Sequence, residues 1–256
     1  CKSVSKSDIQ QSAFTKLDEA VVWNTCTMQA SRCSLNGAFA YIFYISNVAG
    51  SVKGAGLSTS DKNSTYFEYA KRAIKRTAAL TRFPIILLCT SESFRGCSQI
   101  IATISPYPGQ IDLIEVDATL WLQPYFEYKV RQKRSKLMHA YGTTQVFNPA
   151  YVSKYERLIY MDIDTFLIRN VDELFCTEGF AAAKRQSVPL FNGGVFVYSP
   201  SRHIYDAMMS NMIQYMKKPG EKKFAMQALL HELFGQTYYC IDPIYTCGAF
   251  CGVLEK

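Results

Sequence analysis

Two aspartates stand one residue apart directly after an apolar run, Asp162 and Asp164 after Leu158–Met161. Side chains two apart on an extended segment point to the same side, so both carboxylates can converge while Ile163 faces the core. Oxygen ligands of this kind suit Mn²⁺ or Mg²⁺, which keep positions open for substrate phosphates. The pair predicts a cation site that holds a diphosphate and neutralises its charge as it leaves. The alternative is that both aspartates are turn and capping residues.

A pair of adjacent glycines precedes another apolar run, in the sequence Asn192-Gly193-Gly194 followed by Val195–Tyr198. Glycines at such a place let the backbone approach a ligand closely, because they carry no Cβ. Asn192 offers a donor and an acceptor for sugar hydroxyls. The segment therefore predicts a sugar contact, and the alternative is a tight turn that leads into a core strand.

Basic residues are modestly in excess, since 28 Lys and Arg stand against 21 Asp and Glu and give a net charge of +7. The excess is spread along the chain, which indicates an anionic ligand without naming one. Lys136 and its basic neighbours could supply charge to a diphosphate, although a Lys/Arg-rich helix is more often a solvated face. The excess is small and no recognition module is visible, so nucleic acid is not an expected partner.

The composition predicts a folded domain, because 48% of the 256 residues are hydrophobic and 14% are aromatic. Burial on that scale offsets the entropy of ordering the chain and excludes extensive disorder. The longest apolar runs, such as Ala38–Ile45, fall far short of the roughly 18 residues that a membrane-spanning helix needs. No membrane span is therefore expected in this chain.

The nine cysteines contain no CxxC pair, which makes a zinc ribbon an unlikely use for them. Cys26 with Cys33, and the trio Cys240, Cys247 and Cys251, could form disulfides. Together with the Asn-Ser-Thr sequon at Asn63, these favour the secretory pathway or Golgi lumen over the cytoplasm. The alternative is that the cysteines are free, buried and act as small apolar residues. The polar start shows no signal peptide, so we expect the sequence to begin after a removed segment.

Strands alternate with helices along the chain, which predicts an α/β fold with a central, mostly parallel sheet covered on both faces. Residues 1–36 are expected to form an irregular arm, and residues 37–256 a single domain. The expected strands are Ala38–Ile45, Ile85–Cys89, Ile111–Val116, Leu158–Met161 and Gly194–Tyr198. The expected helices are Thr65–Leu80, Tyr125–Tyr151, Arg202–Met216 and Lys223–Phe234.

Several motifs resemble those of the glycogenin-type glycosyltransferases, family 8 of the retaining enzymes with a GT-A fold. Tyr155–Phe175 resembles the family's metal motif and the loop that follows it. Phe191–Ser201 resembles its sugar-contacting strand, and Ser135-Lys136-Leu137 resembles a Thr-Lys-Leu whose lysine lies near the nucleotide sugar. The first strand and Lys53-Gly54-Ala55 resemble its nucleotide-binding opening. The resemblance covers roughly Phe39 to Tyr245, with the motifs in the family's order.

This resemblance implies a Rossmann-like nucleotide-diphospho-sugar transferase fold and the transfer of a hexose from a UDP-sugar with retained configuration. A carbohydrate or glycoprotein would be the acceptor, and Mn²⁺ or Mg²⁺ the cofactor. Asp162 and Asp164 would hold the ion, and Asn192 and Gln227 would occupy catalytic positions. The oligomeric state is not indicated. The residues implied around the nucleotide sugar are Ile45, Ser46, Asn47, Lys53, Lys136, Asp162, Ile163, Asp164, Asn192, Gly193, Gly194 and Gln227.

The chain departs from the family pattern at several positions. Met226 stands where the family has an aspartate that approaches the sugar, while Gln227 is kept, and Gly193 replaces the usual serine. The family's C-terminal histidine with its Lys-Pro-Trp passage is not found, and Val48 with a Gly/Ser stretch replaces the usual Asp and Tyr. Three histidines are expected to be surface or packing residues: His139, His203 and His231.

Two other functions remain open on these residues. The first is a non-catalytic member of the same fold that binds a sugar nucleotide or a partner without turnover, which Met226 favours. The second is a GT-A nucleotidyltransferase, which also uses acidic metal ligands. Such an enzyme normally carries a phosphate loop of the GxGxRxxP type, and Gly50–Gly56 has the glycines but not that order.

Overall fold

A computed structural model describes residues 35–46, 59–104, 110–117, 142–184, 191–217, 225–235 and 237–241. Within these residues seven strands form one sheet in the order β3-β2-β1-β4-β6-β5-β7. The strands are β1 (Phe39–Ile45), β2 (Ile85–Thr90), β3 (Ile111–Val116), β4 (Arg157–Met161), β5 (Ala181–Lys184), β6 (Phe191–Tyr198) and β7 (Tyr239–Ile241).

Helices flank the sheet, and two 3₁₀ turns lie in its connections. The helices are α1 (Thr59–Leu80), α2 (Ser91–Thr103), the single turn α3 (Pro149–Val152), α4 (Arg202–Lys217) and α5 (Ala225–Phe234). The 3₁₀ turns are Thr143–Phe147 and Asp172–Cys176. In the described part of the chain no helix is long and apolar enough to cross a membrane.

The sheet is mostly parallel, which confirms the predicted fold class. Strands β1 to β4 run parallel to one another in the order β3-β2-β1-β4. Strand β6 runs antiparallel to both of its neighbours, β4 and β5, and the edge strand β7 is parallel to β5. Strands β1 and β2 are buried at every residue, as expected of strands covered on both faces.

Each face of the sheet carries its own hydrophobic core, because successive strand residues point to opposite faces. On one face Met161 and Ile163 pack with residues of α1 and α2. On the other face Leu158 and Tyr160 pack with residues of α4 and α5, including Leu230. Asp162 continues the line of Leu158 and Tyr160, so the α5 side of the sheet is the side that positions it.

Some predicted elements need correction. The helix expected over Tyr125–Tyr151 is wrong at its end: a 3₁₀ turn and the separate α3 replace it, since Asn148 is extended and caps α3, which begins at Pro149. Its first part, over residues 125–141, lies outside the described residues. Helix α2 and the strands β5 and β7 were not expected. Gly96 weakens the helix signal of α2 in the sequence. A glycine is nevertheless required there for α2 to pack on α1, because a Cβ would lie 2.7 Å from the ring of Phe67.

Disulfides are present in the described residues. Cys89 at the end of β2 is bonded to Cys97 of α2, and both side chains are buried. Cys176 and Cys240 are also disulfide-bonded. The alternative of free, buried thiols is therefore wrong for these four cysteines. The expected pair Cys26 with Cys33, like the last two cysteines, lies outside the described residues.

Candidate active site

The strand directions bring the polar side chains to one edge of the sheet. Strands β1 and β4 are parallel, so their carboxyl ends lie at the same edge. Strand β6 is antiparallel to β4 and begins at that edge, where Met161 pairs with Val195. Asp162 thus lies across from Gly194, at the edge where open α/β sheets bind their ligands.

Asp162 is held by its backbone at the end of β4. Its N–H donates to the carbonyl of Gly194 at 2.8 Å, and its carbonyl accepts from the N–H of Thr165 at 2.9 Å. Asp162 to Thr165 therefore form a turn, so the predicted extended geometry of the acidic pair is wrong, and the alternative of turn residues is correct for the backbone. Ile163 points into the core as predicted, with 6% of its surface exposed.

The carboxylate of Asp162 has one fixed oxygen and one that faces a glycine. The hydroxyl of Tyr160 donates to Oδ1 at 2.5 Å. The other oxygen, Oδ2, lies 3.2 Å from where a Cβ would stand on Gly194. Burial and then the negative charge of Asp164 raise the pKa of Asp162 from 3.8 to about 7, against the opposing hydrogen bond from Tyr160. A carboxylate held this way favours a bound proton or cation.

Asp164 lies on the same turn with its side chain exposed to solvent. Its negative charge contributes to the raised pKa of Asp162. Among the described residues no salt bridge involves either carboxylate. No group of three or more acidic, His or Cys side chains suited to a metal occurs in the described part of the chain, so a third protein ligand is not found there.

The residues Asn192 to Gly194 form the opposite wall of the site. Asn192 is exposed, and its Oδ1 accepts the N–H of Gly194 at 3.0 Å, which leaves the amide nitrogen to donate to a ligand. A Cβ on Gly194 would crowd both Asp162 Oδ2 and Asn192 Oδ1, the latter at 3.4 Å. A Cβ on Gly193 would find its nearest atoms on Leu230 and Gln227 at 3.8 and 3.9 Å, so position 193 has room.

Helix α5 closes the site beside the start of β6. The amide of Gln227 donates to the carbonyl of Phe191 at 2.6 Å, and Nε2 of His231 lies 3.2 Å from the same oxygen. The ring of His231 packs on that of Phe191, with centroids 3.9 Å apart, and burial lowers its pKa. The packing role expected for this histidine agrees with these contacts. Because Gln227 presents its NH₂ to the carbonyl, its Oε1 remains as an acceptor.

The other predicted site residues, and Met226 at the position where the family has an aspartate, lie in the core, on α5 or outside the described residues. The side chain of Ile45 is fully buried in the core, and its carbonyl accepts the hydroxyl of Ser93 at 2.9 Å, so contact with a nucleotide would need the backbone. Ser46 follows at the carboxyl edge and is buried too. Met226 is part-buried and packs against the core on the α5 side. Three predicted contacts lie outside the described residues: Asn47, Lys53 and Lys136.

Sequence reasoning missed one residue of the site, Tyr160. It stands two residues before Asp162, on the same face of β4, so the alternation of a strand could have placed its hydroxyl beside the carboxylate. His231 stands four residues after Gln227 and shares its helix face, a spacing that brings both side chains to one carbonyl.

The chain is similar in sequence to glycogenins. It is 27% identical to human glycogenin-1 over 146 residues, which are 55% of this chain and 39% of that protein. It is 34% identical to human glycogenin-2 over 84 residues, which are 32% of this chain and 16% of the relative. The chain therefore spans well under half the length of these relatives. No protein-family model matches the sequence.

The fold is that of the GT-A glycosyltransferases. The galactosyltransferase LgtC, solved with donor and acceptor sugar analogues, superposes with a TM-score of 0.56 at 16% identity, over 80% of this chain and 73% of LgtC. Mouse xyloside xylosyltransferase 1 superposes with a TM-score of 0.52 at 10% identity, over 80% of this chain and 85% of that protein. The chain is therefore similar in sequence to glycogenins and has the fold of the GT-A glycosyltransferases, as the motifs indicated.

Proposed function

We propose that the chain is a retaining glycosyltransferase that takes a UDP-sugar as donor with the help of Mn²⁺ or Mg²⁺. The observation that carries the proposal is the position of Asp162 beside Asn192 at the carboxyl edge of a GT-A sheet, with Asp164 exposed on the same turn. Glycogenin-like sequence over half of the chain supports the same class of reaction.

The donor set fits a hard cation. Oδ2 of Asp162 has no hydrogen bond from the described residues, and Asp164 is exposed beside it. Such an ion, when bound, holds the diphosphate and neutralises the charge that develops as the nucleotide leaves. Two protein oxygens leave most coordination positions to phosphates and water, as Mg²⁺-type sites do.

The chain's own residues then orient the donor sugar. Asn192 offers its amide nitrogen to a sugar hydroxyl, and the bare backbone of Gly193 and Gly194 admits the ring closely. Gln227, fixed through its amide to the carbonyl of Phe191, offers Oε1 to the same region. These groups hold a reacting sugar in one pose, which is a large part of catalysis by proximity. The acceptor we propose is a carbohydrate or a glycoprotein.

The disulfides support a location in the secretory pathway for this enzyme. Disulfides persist in oxidising compartments and are rare in the cytosol. Cys89 and Cys97 are bonded and fully buried, and two further described cysteines are bonded as well. We therefore propose that the protein acts in a secretory lumen, where it would meet glycoprotein acceptors.

The test is thermal unfolding of the full chain with UDP and Mn²⁺. At a ligand concentration about a hundred times the Kd we expect the Tm to rise by about 5 °C. Asp164→Ala should abolish the rise, because it removes an exposed ligand of the ion. Asp206→Ala is the matched control: Asp206 is also an exposed aspartate, paired with Arg202 on α4, and its removal should leave the rise intact. Absence of a rise in the parent chain would refute the donor site.

Met226 supports a second candidate, a protein of this fold that binds a sugar nucleotide without turning it over. Its thioether packs against the core and offers no charge to a developing oxocarbenium ion. Slow hydrolysis of the UDP-sugar separates the candidates. Release of UDP, with the sugar's anomeric configuration retained by NMR, supports the transferase. The second candidate is supported if the parent binds the UDP-sugar but releases no UDP over a long incubation, and if Met226→Asp gains UDP release.

A further inference from the structure

The strongest unassigned group at the site is the hydroxyl of Tyr160. It donates to Oδ1 of Asp162 at 2.5 Å, the distance of a strong hydrogen bond to a carboxylate. Tyr160 is 3% exposed, so water does not compete freely for this contact. Neither the sequence motifs nor the proposed reaction gives this tyrosine a role.

The ring that carries this hydroxyl is fixed in place. Tyr160 lies opposite Phe196 in the antiparallel pair of β4 and β6, and the two rings stack with centroids 4.5 Å apart and an interplanar angle of 22°. Phe196 is itself stacked on Phe147 at 5.6 Å and on Phe180 at 5.5 Å. The packed rings restrict the motion of the hydroxyl, as a preorganised site requires.

The backbone of Asp162 is fixed as well: its N–H donates to the carbonyl of Gly194, and its carbonyl accepts from the N–H of Thr165. With the backbone and Oδ1 both held, rotation of the side chain is blocked. The remaining oxygen, Oδ2, is then turned to the bare surface of Gly194, where only the absence of a Cβ leaves space.

We infer that Tyr160 is a positioning residue that turns Oδ2 of Asp162 toward the divalent cation, an inference that rests on the proposed function. By occupying Oδ1 the phenol leaves one oxygen for the ion and so fixes how Asp162 binds it. Hydrogen bonds of this outer kind orient metal-binding carboxylates, and their loss costs about 10- to 100-fold in metal affinity.

The experiment compares two tyrosine-to-phenylalanine variants. Tyr160→Phe keeps the ring and its stack on Phe196 but removes the hydroxyl. Tyr41→Phe is the matched control: Tyr41 is fully buried and its hydroxyl also donates to a carboxylate, Asp172 Oδ1 at 2.7 Å, away from the site. Mn²⁺ affinity is measured in the presence of saturating UDP by the paramagnetic relaxation of water protons, and unfolding by denaturant is measured without Mn²⁺.

We expect Tyr160→Phe to weaken Mn²⁺ binding at least tenfold, with a loss of metal-free stability no greater than that of Tyr41→Phe. Tyr41→Phe should lower stability and leave Mn²⁺ affinity within twofold. Unchanged Mn²⁺ affinity in Tyr160→Phe, with a parent that binds Mn²⁺, would overturn the inference and leave the proposed function standing. A parent that binds neither Mn²⁺ nor UDP would refute the proposed function, and the inference with it.

A second variant covers the case in which Tyr160→Phe unfolds. Gly194→Ala leaves the hydroxyl in place but puts a Cβ 3.2 Å from Asp162 Oδ2, so it should weaken Mn²⁺ binding through the same oxygen. If Gly194→Ala is folded and binds Mn²⁺ as tightly as the parent, Oδ2 is not the ligand and the inference is overturned.

Discussion

Asp162 and Asp172 lie on the same connection between β4 and β5, yet their surroundings differ. The carboxylate of Asp172 accepts three side-chain hydrogen bonds, from Tyr41, Thr81 and Asn170, at 2.6 to 2.8 Å. The carboxylate of Asp162 accepts one, from Tyr160. The first has its acceptor sites filled by the protein and serves the fold, whereas the second leaves an oxygen unfilled by the described residues and can serve a ligand.

The number of hydrogen-bond donors to the carboxylate separates a structural aspartate from one that can bind a ligand. Asp172 is buried and Asp162 is half-buried, so burial alone separates them poorly. The count of donors separates them better, because a buried carboxylate without donors is costly unless a proton or cation joins it. The pKa of Asp162 is raised, first because the carboxylate is buried, and few hydrogen-bond donors oppose that rise.

The largest effect we expect is on stability, from Asp172→Ala. This change leaves the hydroxyls of Tyr41 and Thr81 without their acceptor, so the free energy of unfolding should fall by about 3 kcal/mol or more. Asp162→Ala should change it by less than about 1 kcal/mol, since one donor is lost and a desolvation cost disappears with it. Urea unfolding measures both. Equal losses at the two positions would break the distinction.

The next effect concerns pH and the metal-free chain. The folded pKa of Asp162 is about 7, above its ordinary 3.8, so between pH 4 and 7 the folded state binds more protons than the unfolded one. The stabilisation from this proton is therefore fully present below pH 4 and is lost as pH rises through 7, at a rate of at most about 1.4 kcal/mol per pH unit.

The variant Asp162→Asn should remove this dependence, because its amide does not titrate. The measurement is the unfolding free energy at a series of pH values, parent minus variant. Asp206→Asn on exposed α4 is the control and should keep the parent's slope. A difference between parent and Asp162→Asn that stays flat from pH 4 to 8 would contradict the raised pKa.

Substitutions at the two adjacent glycines test whether the open space of the site lies beside Asp162. Gly194→Ala crowds Asp162 Oδ2 at 3.2 Å, while Gly193→Ala meets ordinary contacts at 3.8 Å and beyond. We expect the first to weaken UDP·Mn²⁺ binding by about tenfold, the range of an outer-sphere disturbance of a metal site, and the second by less than twofold. Calorimetric titration with UDP in excess Mn²⁺ checks the pair. A reversed order would show that the open space lies over Gly193 instead.

The smallest effect is expected from removing the hydrogen bonds that hold the connection between β4 and β5 against α1. Arg76 of α1 donates from Nε to the carbonyl of Leu167 and from Nη2 to that of Ile168, both at 2.9 Å. Arg76→Gln should lower stability by about 1 kcal/mol, the net value of such bonds, and leave donor binding within twofold. A larger loss of UDP·Mn²⁺ binding than of stability would show that the whole segment, not Asp162 alone, shapes the site.

Much of this arrangement could be predicted from local sequence. The apolar runs within β1, β2 and β4 are unbroken, because strands covered on both faces need no polar alternation, whereas the edge strand β3 carries Asp112 and Glu115. The positions of the acidic pair and of Asn192 at strand ends were predictable as well, since each directly follows or begins such a run, while their role in binding stays a prediction. Local patterns also gave α4 and α5 to within a few residues.

The rest depends on contacts that a local pattern does not contain. Strand β5 is Ala181–Lys184, an alanine-rich segment with no preference for a strand until β6 and β7 pair with it. The acceptors of Asp172 are filled by Tyr41 and Thr81, which are far away in sequence. The turn at Asp162 likewise follows from its pairing with Gly194 on β6.

The most direct test of the proposed cation site is a crystal structure of the chain with UDP and Mn²⁺, with data collected for the anomalous signal of manganese. We expect one anomalous peak within direct coordination distance of Asp162 Oδ2 and the Asp164 carboxylate, with the diphosphate on its other side. A UDP molecule bound elsewhere, or a peak at the site that touches neither aspartate, would contradict this expectation.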